Sequence, residues 1–108
     1  MKDLGAIMKQ AQVMQARMAE AQAKIAALSV DGQAGGGVVK VVLAGSGELT
    51  RVDIDESLMA PGEAEMVADL VVAAHADAKR KLDAAQAELM REAAGPLAGM
   101  GIPGMPKF

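Results

Sequence analysis

The stretch Gly35–Asp55, GGGVVKVVLAGSGELTRVDID, is the part of the chain whose residue pattern indicates β-sheet. Its first apolar run alternates between two faces, one of which holds Val39, Val41 and Leu43. A glycine-rich break follows, and a second β-branched run ends in the sequence VDID. Two such runs around a break predict a β-hairpin.

The residues on either side of this hairpin extend the prediction. The second run places Thr50, Val52 and Ile54 on one face. Val30 lies between polar residues and permits a third, short strand before the glycines, which would complete an antiparallel meander. Gly35–Gly37 precedes a strand and lacks a following Lys-Ser or Lys-Thr pair, so a corner between strands is favoured over a phosphate loop.

A long helix is predicted before the sheet, from about Asp3 to Leu28. Its apolar residues alternate at spacings of three and four, which is a heptad pattern: Leu4, Ile7, Ala11, Met14, Met18, Ala21, Ile25 and Leu28. This helix would be about 38 Å long, whereas a six-residue strand covers about 20 Å. One end should therefore overhang the sheet, and its seam could meet either another helix of the same chain or a second copy.

A second long helix is predicted from about Glu63 to Ala94, after the break at Pro61-Gly62. The first half is thickly apolar and is expected to lie on the sheet as core: Met66, Val67, Leu70, Val71, Val72, Ala73 and Ala74. The second half narrows to a seam that should extend beyond the hairpin: Ala78, Leu82, Ala85 and Leu89. Together the two seams predict a projecting helical arm.

Asp55 is expected to cap a single helical turn between strand and helix.

These elements predict an α+β fold with a long N-terminal helix, a three-stranded antiparallel meander and a long C-terminal helix. Residues 1–94 are expected to form a single α-β-β-β-α domain, in keeping with a chain of 108 residues. Residues 95–108 are expected to form a flexible Gly/Pro/Met tail, with weak docking through Leu97, Ile102 and Phe108 as the alternative.

Composition argues against an enzyme. The chain has no cysteine and one histidine, so no nucleophile–base pair can be assembled and no thiolate metal site is available. We therefore expect no catalytic residue, no metal, no cofactor and no small-molecule substrate. The N-terminus lacks the apolar segment of a signal peptide, and no run approaches the length of a membrane span, so no membrane association is expected.

The net charge of −3 and the pI near 5 do not by themselves indicate a nucleic-acid-binding protein. Basic residues are nevertheless clustered on both helices. The candidate DNA-binding residues are Lys2, Lys9, Arg17, Lys24, Lys79, Arg80, Lys81 and Arg91. Those on the first helix recur at intervals of seven or eight, which keeps them near one edge, although such a stripe is more often simply a solvated face.

In the order of its elements the chain resembles the YbaB/EbfC family of bacterial nucleoid-associated proteins. The matching segments are Met8–Gln12 with Met14 and Gln15, Gly35–Val41, Val52–Asp55 with Ser57–Leu58, and Asp69–Val71 followed by Ala73–Ala74 and Asp77–Ala78. No single segment is specific, but their order and spacing together are. The resemblance implies a homodimer with projecting helical arms that binds duplex DNA in the cytoplasm and associates with the nucleoid.

Two functions follow as hypotheses. The first is a nucleoid-associated protein that binds duplex DNA with low sequence selectivity, mainly through phosphates, and acts in nucleoid organisation or gene regulation. The chain has no Asn, four Arg and a single aromatic residue, which disfavours base-specific reading and single-strand stacking. The alternative is a helical protein-interaction adaptor that uses exposed Met/Ala seams.

Overall fold

The computed structural model describes residues 3–95. The elements in chain order are α1 (Leu4–Ala26), β1 (Ser29–Ala34), β2 (Val39–Ala44), β3 (Leu49–Ile54) and α2 (Ala64–Ala94), with single 3₁₀ turns at Gly35–Gly37 and Glu56–Leu58. The predicted α+β fold is confirmed, and each predicted helix boundary lies within two residues of the observed one. Gly95 ends α2; the remainder of the predicted tail, residues 96–108, lies outside the described residues.

The sheet is an antiparallel meander in the order β1-β2-β3. Val39, Val41 and Leu43 of the central strand are completely buried, as their alternation predicts. They form the core together with Ala74, Ala78 and Leu82 of α2. The apolar face of β2 is therefore covered by α2, and the opposite face of the strand, with Lys40, is exposed to solvent.

Helix α2 lies very close to the sheet at Gly32 of β1. A Cβ atom on Gly32 would lie 2.5 Å from the backbone nitrogen of Ala78 and closer still to the carbonyl oxygen of Ala74. Only a residue without a side chain permits this distance. The alanines at 74 and 78 complete the close contact, because larger side chains on α2 would also hold the two elements apart.

Strand β3 contains an irregularity that alternation did not predict. Val52 lies across from Val41, but the pairing shifts between Val42 and Leu43, so that Leu49 rather than Thr50 lies across from Leu43. The Thr50 hydroxyl donates to the Val42 carbonyl oxygen at 3.2 Å. A β-bulge inserts one extra residue, so the predicted face for Thr50 is wrong.

The prediction that the first half of α2 is core is only partly correct. Leu70 and Val71 pack against the core, and Ala74 is buried within it. Met66 and Val72 are 50% and 69% exposed, because a helix can turn only one stripe towards a single sheet. An uninterrupted apolar run therefore leaves part of its surface uncovered in the single chain.

Helix α1 packs on the end of α2 and not on the sheet. Ala21 is buried there, opposite Leu89 and Ala93 of α2. The sequence did not decide whether the apolar seam of α1 meets another helix of the same chain or a second copy. Over the second half of α1, the seam meets α2 of the same chain. The first half projects beyond α2, with Leu4 and Ile7 each 58% exposed. The predicted arm is present, and the molecule measures 75 × 24 × 16 Å.

Two connecting segments have the conformations that the sequence predicts. Gly35–Gly37 turns the chain between β1 and β2 with a positive φ at all three glycines, which explains the triplet. Asp55 accepts a hydrogen bond from the Ser57 backbone N–H at 3.3 Å and caps the following 3₁₀ turn, as predicted.

Candidate nucleic-acid interface

The candidate cations of α1 lie along the arm. Lys9, Arg17 and Lys24 are all exposed. Lys24 forms an ion pair with Glu20 one helical turn away, at 3.4 Å, while within residues 3–95 no carboxylate lies within ion-pair distance of Lys9 or Arg17. Lys9 and Arg17 are therefore available to an external anion. Lys2, the remaining candidate on this side, lies outside the described residues.

Three candidate cations of α2, unlike Lys9 and Arg17, form ion pairs with carboxylates: Lys79, Arg80 and Lys81. Lys79 forms an ion pair with Asp83 at 2.6 Å. Arg80 and Lys81 both pair with Asp77, at 3.1 and 3.0 Å. Each positive charge in this group thus has a carboxylate partner on the same helix, at the spacing that places side chains side by side. The group is less able to attract phosphate than its sequence suggests.

Asp77 also has a structural role. Its carboxylate accepts a hydrogen bond from the Gln33 backbone N–H at 3.0 Å, which joins α2 to the edge strand β1. The hydrogen bond from Lys81 and that from the Gln33 N–H hold the pKa of Asp77 below its usual value, because both favour the charged carboxylate. The cluster around Asp77 therefore fastens helix to sheet.

Two further cations lie on the exposed face of the sheet, and the sequence reasoning did not select them. Lys40 of β2 lies across from Asp53 of β3, and Arg51 donates from Nε to Asp53 at 2.8 Å. This hydrogen bond lowers the pKa of Asp53 and raises that of Arg51. The alternation that placed Val39 and Val41 in the core could have placed Lys40 and Arg51 together on the other face.

The remaining member of the candidate set lies near the end of α2. Arg91 forms an ion pair with Glu88 on the same helix. Beside it, α1 and α2 enclose a shallow hollow whose lining includes Arg17, Glu20 and Glu92. Because this hollow carries both signs of charge, it does not favour a particular ion.

Charge is distributed unevenly along the molecule. Helix α1 carries three cations and one carboxylate, and it packs at the C-terminal end of α2. The opposite end, around the start of α2, carries an excess of carboxylates: Asp53, Asp55, Glu56, Glu63, Glu65 and Asp69. The exposed cations of α1 and this carboxylate cluster therefore lie at opposite ends of the molecule.

An apolar face is left open on β3. Helix α2 lies over β1 and β2, so the inward-facing side chains of β3 are incompletely covered. Leu49 and Val52 are 42% and 38% exposed, and Met59 in the following connection is also exposed. On α2, Val72 is also uncovered.

Nowhere between residues 3 and 95 do His, Asp and Glu side chains gather in a group of three that could hold a metal ion. No helix within that span combines the length and apolar character that crossing a bilayer requires.

The sequence and its relatives place the chain in a family. Residues 1–97 match the profile of the YbaB/EbfC DNA-binding family. The chain belongs to the YbaB/EbfC family. The resemblance seen in the sequence is thereby confirmed.

Similar YbaB/EbfC proteins are named nucleoid-associated proteins. That of Phenylobacterium zucineum is 71% identical, over all of this chain and 99% of the relative. Those of Caulobacter sp. strain K31 and Caulobacter vibrioides strain NA1000 are 65% and 63% identical, each over 97% of this chain and 98% of the relative. These relatives have almost the same length, so the whole chain is matched.

The YbaB/EbfC fold is also found in a solved structure. An uncharacterized protein from Helicobacter pylori, known from its crystal structure, superposes with a TM-score of 0.62. It covers 88% of this chain and 97% of its own, at 24% sequence identity. This likeness concerns the fold. Which basic side chains contact DNA stays a prediction.

Proposed function

We propose that this YbaB/EbfC protein is a nucleoid-associated protein that binds duplex DNA as a homodimer. It acts in the cytoplasm, at the nucleoid, in nucleoid organisation or gene regulation. The names of its relatives and of its family support DNA as the partner. Binding is of low sequence selectivity and relies mainly on phosphate contacts.

The observation that carries this proposal is the placement of unpaired cations on the projecting helix. Lys9 and Arg17 are exposed on α1, away from the carboxylates at the start of α2. A protein with net charge −3 can attract DNA only through such local clustering. We therefore assign the main phosphate contacts to α1, and a lesser role to the ion-paired cations of α2.

Low sequence selectivity is supported by the side chains available. Base edges in the major groove are read chiefly by bidentate Arg, Asn and Gln. The chain has no Asn, and three of its four Arg are held by carboxylates: Arg51, Arg80 and Arg91. Gln side chains on α1 remain, so weak preferences are compatible with the proposal.

The homodimer is supported by the open face of β3. Leu49, Val52, Met59 and Val72 form a set of uncovered apolar side chains that a single protomer leaves in water. A second copy related by a two-fold axis would present the same set, which is the self-complementary arrangement of a symmetric interface. Burying it removes apolar area from water at about 25 cal/mol per Å².

The DNA-binding proposal is tested with a pair of matched charge removals. Lys9→Gln with Arg17→Gln removes two unpaired cations per protomer, and Lys79→Gln with Lys81→Gln removes two ion-paired ones. Fluorescence anisotropy of labelled duplexes over a range of salt gives affinity and its salt dependence. For four to eight phosphates contacted, log K should fall against log salt with a slope of about −3.5 to −7.

We expect the α1 pair to lower affinity for every duplex sequence alike and to flatten the slope by about 1 for each phosphate that is no longer neutralised. The α2 pair should have a smaller effect, although the change in net charge is the same. Equal effects would show that only net charge matters. If neither pair matters, the α1 assignment fails and the adaptor function becomes the better account.

The dimer is tested by sedimentation at micromolar concentration, where we expect twice the chain mass of 11.0 kDa. Val52→Asp places a charge on the open face and should give a monomer. Arg51→Asp places the same carboxylate on the opposite face of the same strand and should leave the dimer intact. A wild-type monomer, or dissociation by Arg51→Asp alone, would refute this interface.

A further inference from the structure

Helix α1 is held to the rest of the molecule over its C-terminal half. Ala21 is buried against the end of α2. Beyond Ala26, where α1 ends, the chain enters the body of the molecule through Leu28, which packs against the buried core. The N-terminal half carries the exposed Lys9, and its direction depends on how the other end of the helix is fixed.

Gly45, in the turn between β2 and β3, lies directly against the end of α1. Its backbone N–H donates to the Leu28 carbonyl oxygen at 2.8 Å. A Cβ atom on Gly45 would lie 1.7 Å from the carbonyl oxygen of Ile25 and 2.8 Å from the carbonyl carbon of the same residue. The φ angle of Gly45 is not positive, so glycine is required here by the lack of space and not by the backbone conformation.

Gln86 of α2 completes this contact from the other side. Its Nε2 donates to the Gly45 carbonyl oxygen at 3.0 Å, in a partly buried position. Gln86 and Ile25 also line the same hollow between α1 and α2. We call Gly45, Ile25, Leu28 and Gln86 the Gly45 junction. None of the four belongs to the buried apolar cluster of β2 and α2, so the junction can change while that core stays packed.

The length of α1 amplifies any change at the Gly45 junction. Ile25 lies about 6 Å along the helix from Ala21, and Lys9 lies about 18 Å from Ala21 on the other side, at 1.5 Å per residue. When α1 turns as a rigid rod about its buried contact at Ala21, a displacement of Ile25 is multiplied about threefold at Lys9. A small change around Gly45 therefore moves the cations of the arm much further.

We propose that Gly45 and Gln86 are positioning residues, which fix the direction of α1 relative to the sheet and thereby place Lys9 against the phosphates of duplex DNA. Gly45 does so by letting the Ile25 carbonyl oxygen approach the turn between β2 and β3, and Gln86 by holding that turn from α2. The placement of Lys9 against DNA rests on the proposed function, whereas the fixed direction of α1 does not.

Gly45→Ala tests the direction of α1 without DNA. To bring the new methyl group from 1.7 Å to at least 3.0 Å, the Ile25 oxygen must move by about 1.3 Å. The length of the helix then displaces Gln10 by about 3–4 Å. Because the chain has no cysteine, Gln10→Cys combined with Lys40→Cys, and in a second protein with Glu65→Cys, gives single pairs of nitroxide labels at exposed positions. Pulsed electron–electron double resonance, in an excess of unlabelled chain, measures the two distances within one chain.

We expect Gly45→Ala to shift at least one of the two distances by about 3 Å. Gly5→Ala is the matched control, because the same methyl group on α1 itself meets nothing within 4 Å, and it should leave both distances unchanged. Gln86→Met keeps the length of the side chain and removes the hydrogen bond to Gly45, so both distance distributions should broaden. Because it adds no bulk, this variant decides the question if Gly45→Ala does not fold.

Affinity for DNA is then measured on the unlabelled proteins by fluorescence anisotropy with a labelled duplex. At about 0.1 M salt, a slope of roughly −0.9 per phosphate corresponds to about eightfold in affinity for each contact. We therefore expect Gly45→Ala to lower affinity by about eightfold or more, and Gly5→Ala to leave it unchanged.

Unchanged distances in both Gly45→Ala and Gln86→Met would overturn the proposal, as would an equal shift in Gly5→Ala. Shifted distances with wild-type affinity in Gly45→Ala would also overturn it, if Lys9→Gln with Arg17→Gln weakens binding. A wild-type protein that does not bind duplex DNA would refute the proposed function and with it the role of Lys9. The distances would still decide whether Gly45 and Gln86 fix the direction of α1.

Discussion

Gly32→Ala tests whether the close approach of α2 to β1 sets the stability of the fold. The added methyl group would lie 2.5 Å from the Ala78 nitrogen, and closer to the Ala74 oxygen, whereas ordinary contacts begin near 3.4 Å. Backbone atoms cannot rotate aside, so α2 must move away from the sheet by about 1 Å. Overpacking typically costs 1–3 kcal/mol, and we expect about 3 kcal/mol here.

The change is measured by thermal unfolding, monitored by circular dichroism at a fixed protein concentration, because the stability of the proposed homodimer would depend on concentration. A loss of about 3 kcal/mol lowers Tm by roughly 12–20 °C in a chain of this size. Gly5→Ala adds the same methyl group to a helix position with nothing within 4 Å. That control should be neutral or more stable by up to about 1 kcal/mol.

A second-site change identifies which atoms cause the effect. Ala78→Gly removes the Ala78 Cβ, which would lie 2.6 Å from the new methyl group, but leaves the backbone atoms in place. It should therefore fail to restore the stability of Gly32→Ala. A Gly32→Ala protein that melts within 2–3 °C of wild type, or full rescue by Ala78→Gly, would refute the argument about backbone contact.

Three further results are expected. Val41→Asp should unfold the protein, because it buries an unpaired charge in the sheet where Val41 is completely covered; an unchanged Tm would contradict this. Asp77→Asn should lower Tm at pH 7 and should make the loss of stability in acid smaller than in the wild type. Because the pKa of Asp77 is below its usual value in the folded protein, the charged carboxylate stabilises the fold above about pH 4, and this contribution is lost as pH falls through the lowered pKa. The combination Glu63→Gln, Glu65→Gln and Asp69→Asn should raise affinity for DNA at low salt in anisotropy titrations, with the gain disappearing at high salt.

Much of the fold was predictable because its signals are local. Alternation identified Val39 and Val41 as core, and heptad spacing along α1 identified the seam that contains Ala21. The bulge beside Thr50 was not predictable, because it depends on how two strands pair and leaves no mark in the alternation. The exposure of Val72 was missed because an uninterrupted apolar run does not show which stripe faces the sheet.

The candidate site was predictable in part. The sequence shows which cations share a helix, and it also contains the carboxylates that pair with three of them: Asp83 lies four residues after Lys79, and Asp77 lies three and four before Arg80 and Lys81. These spacings are visible in the sequence. The sequence does not show that α1 packs at one end of α2. This placement separates Lys9 from the carboxylates at the other end.

The pairing of α1 with the end of α2 has a consequence for how the protein is made. Helix α1 precedes the sheet in the chain but packs against the C-terminal part of α2, so it has no such partner until the residues up to about Ala93 have been synthesised. The sheet and the central turns of α2 hold the buried core without it. Once folded, α1 can open while that core stays closed, and its amides should exchange with solvent faster than those of β2.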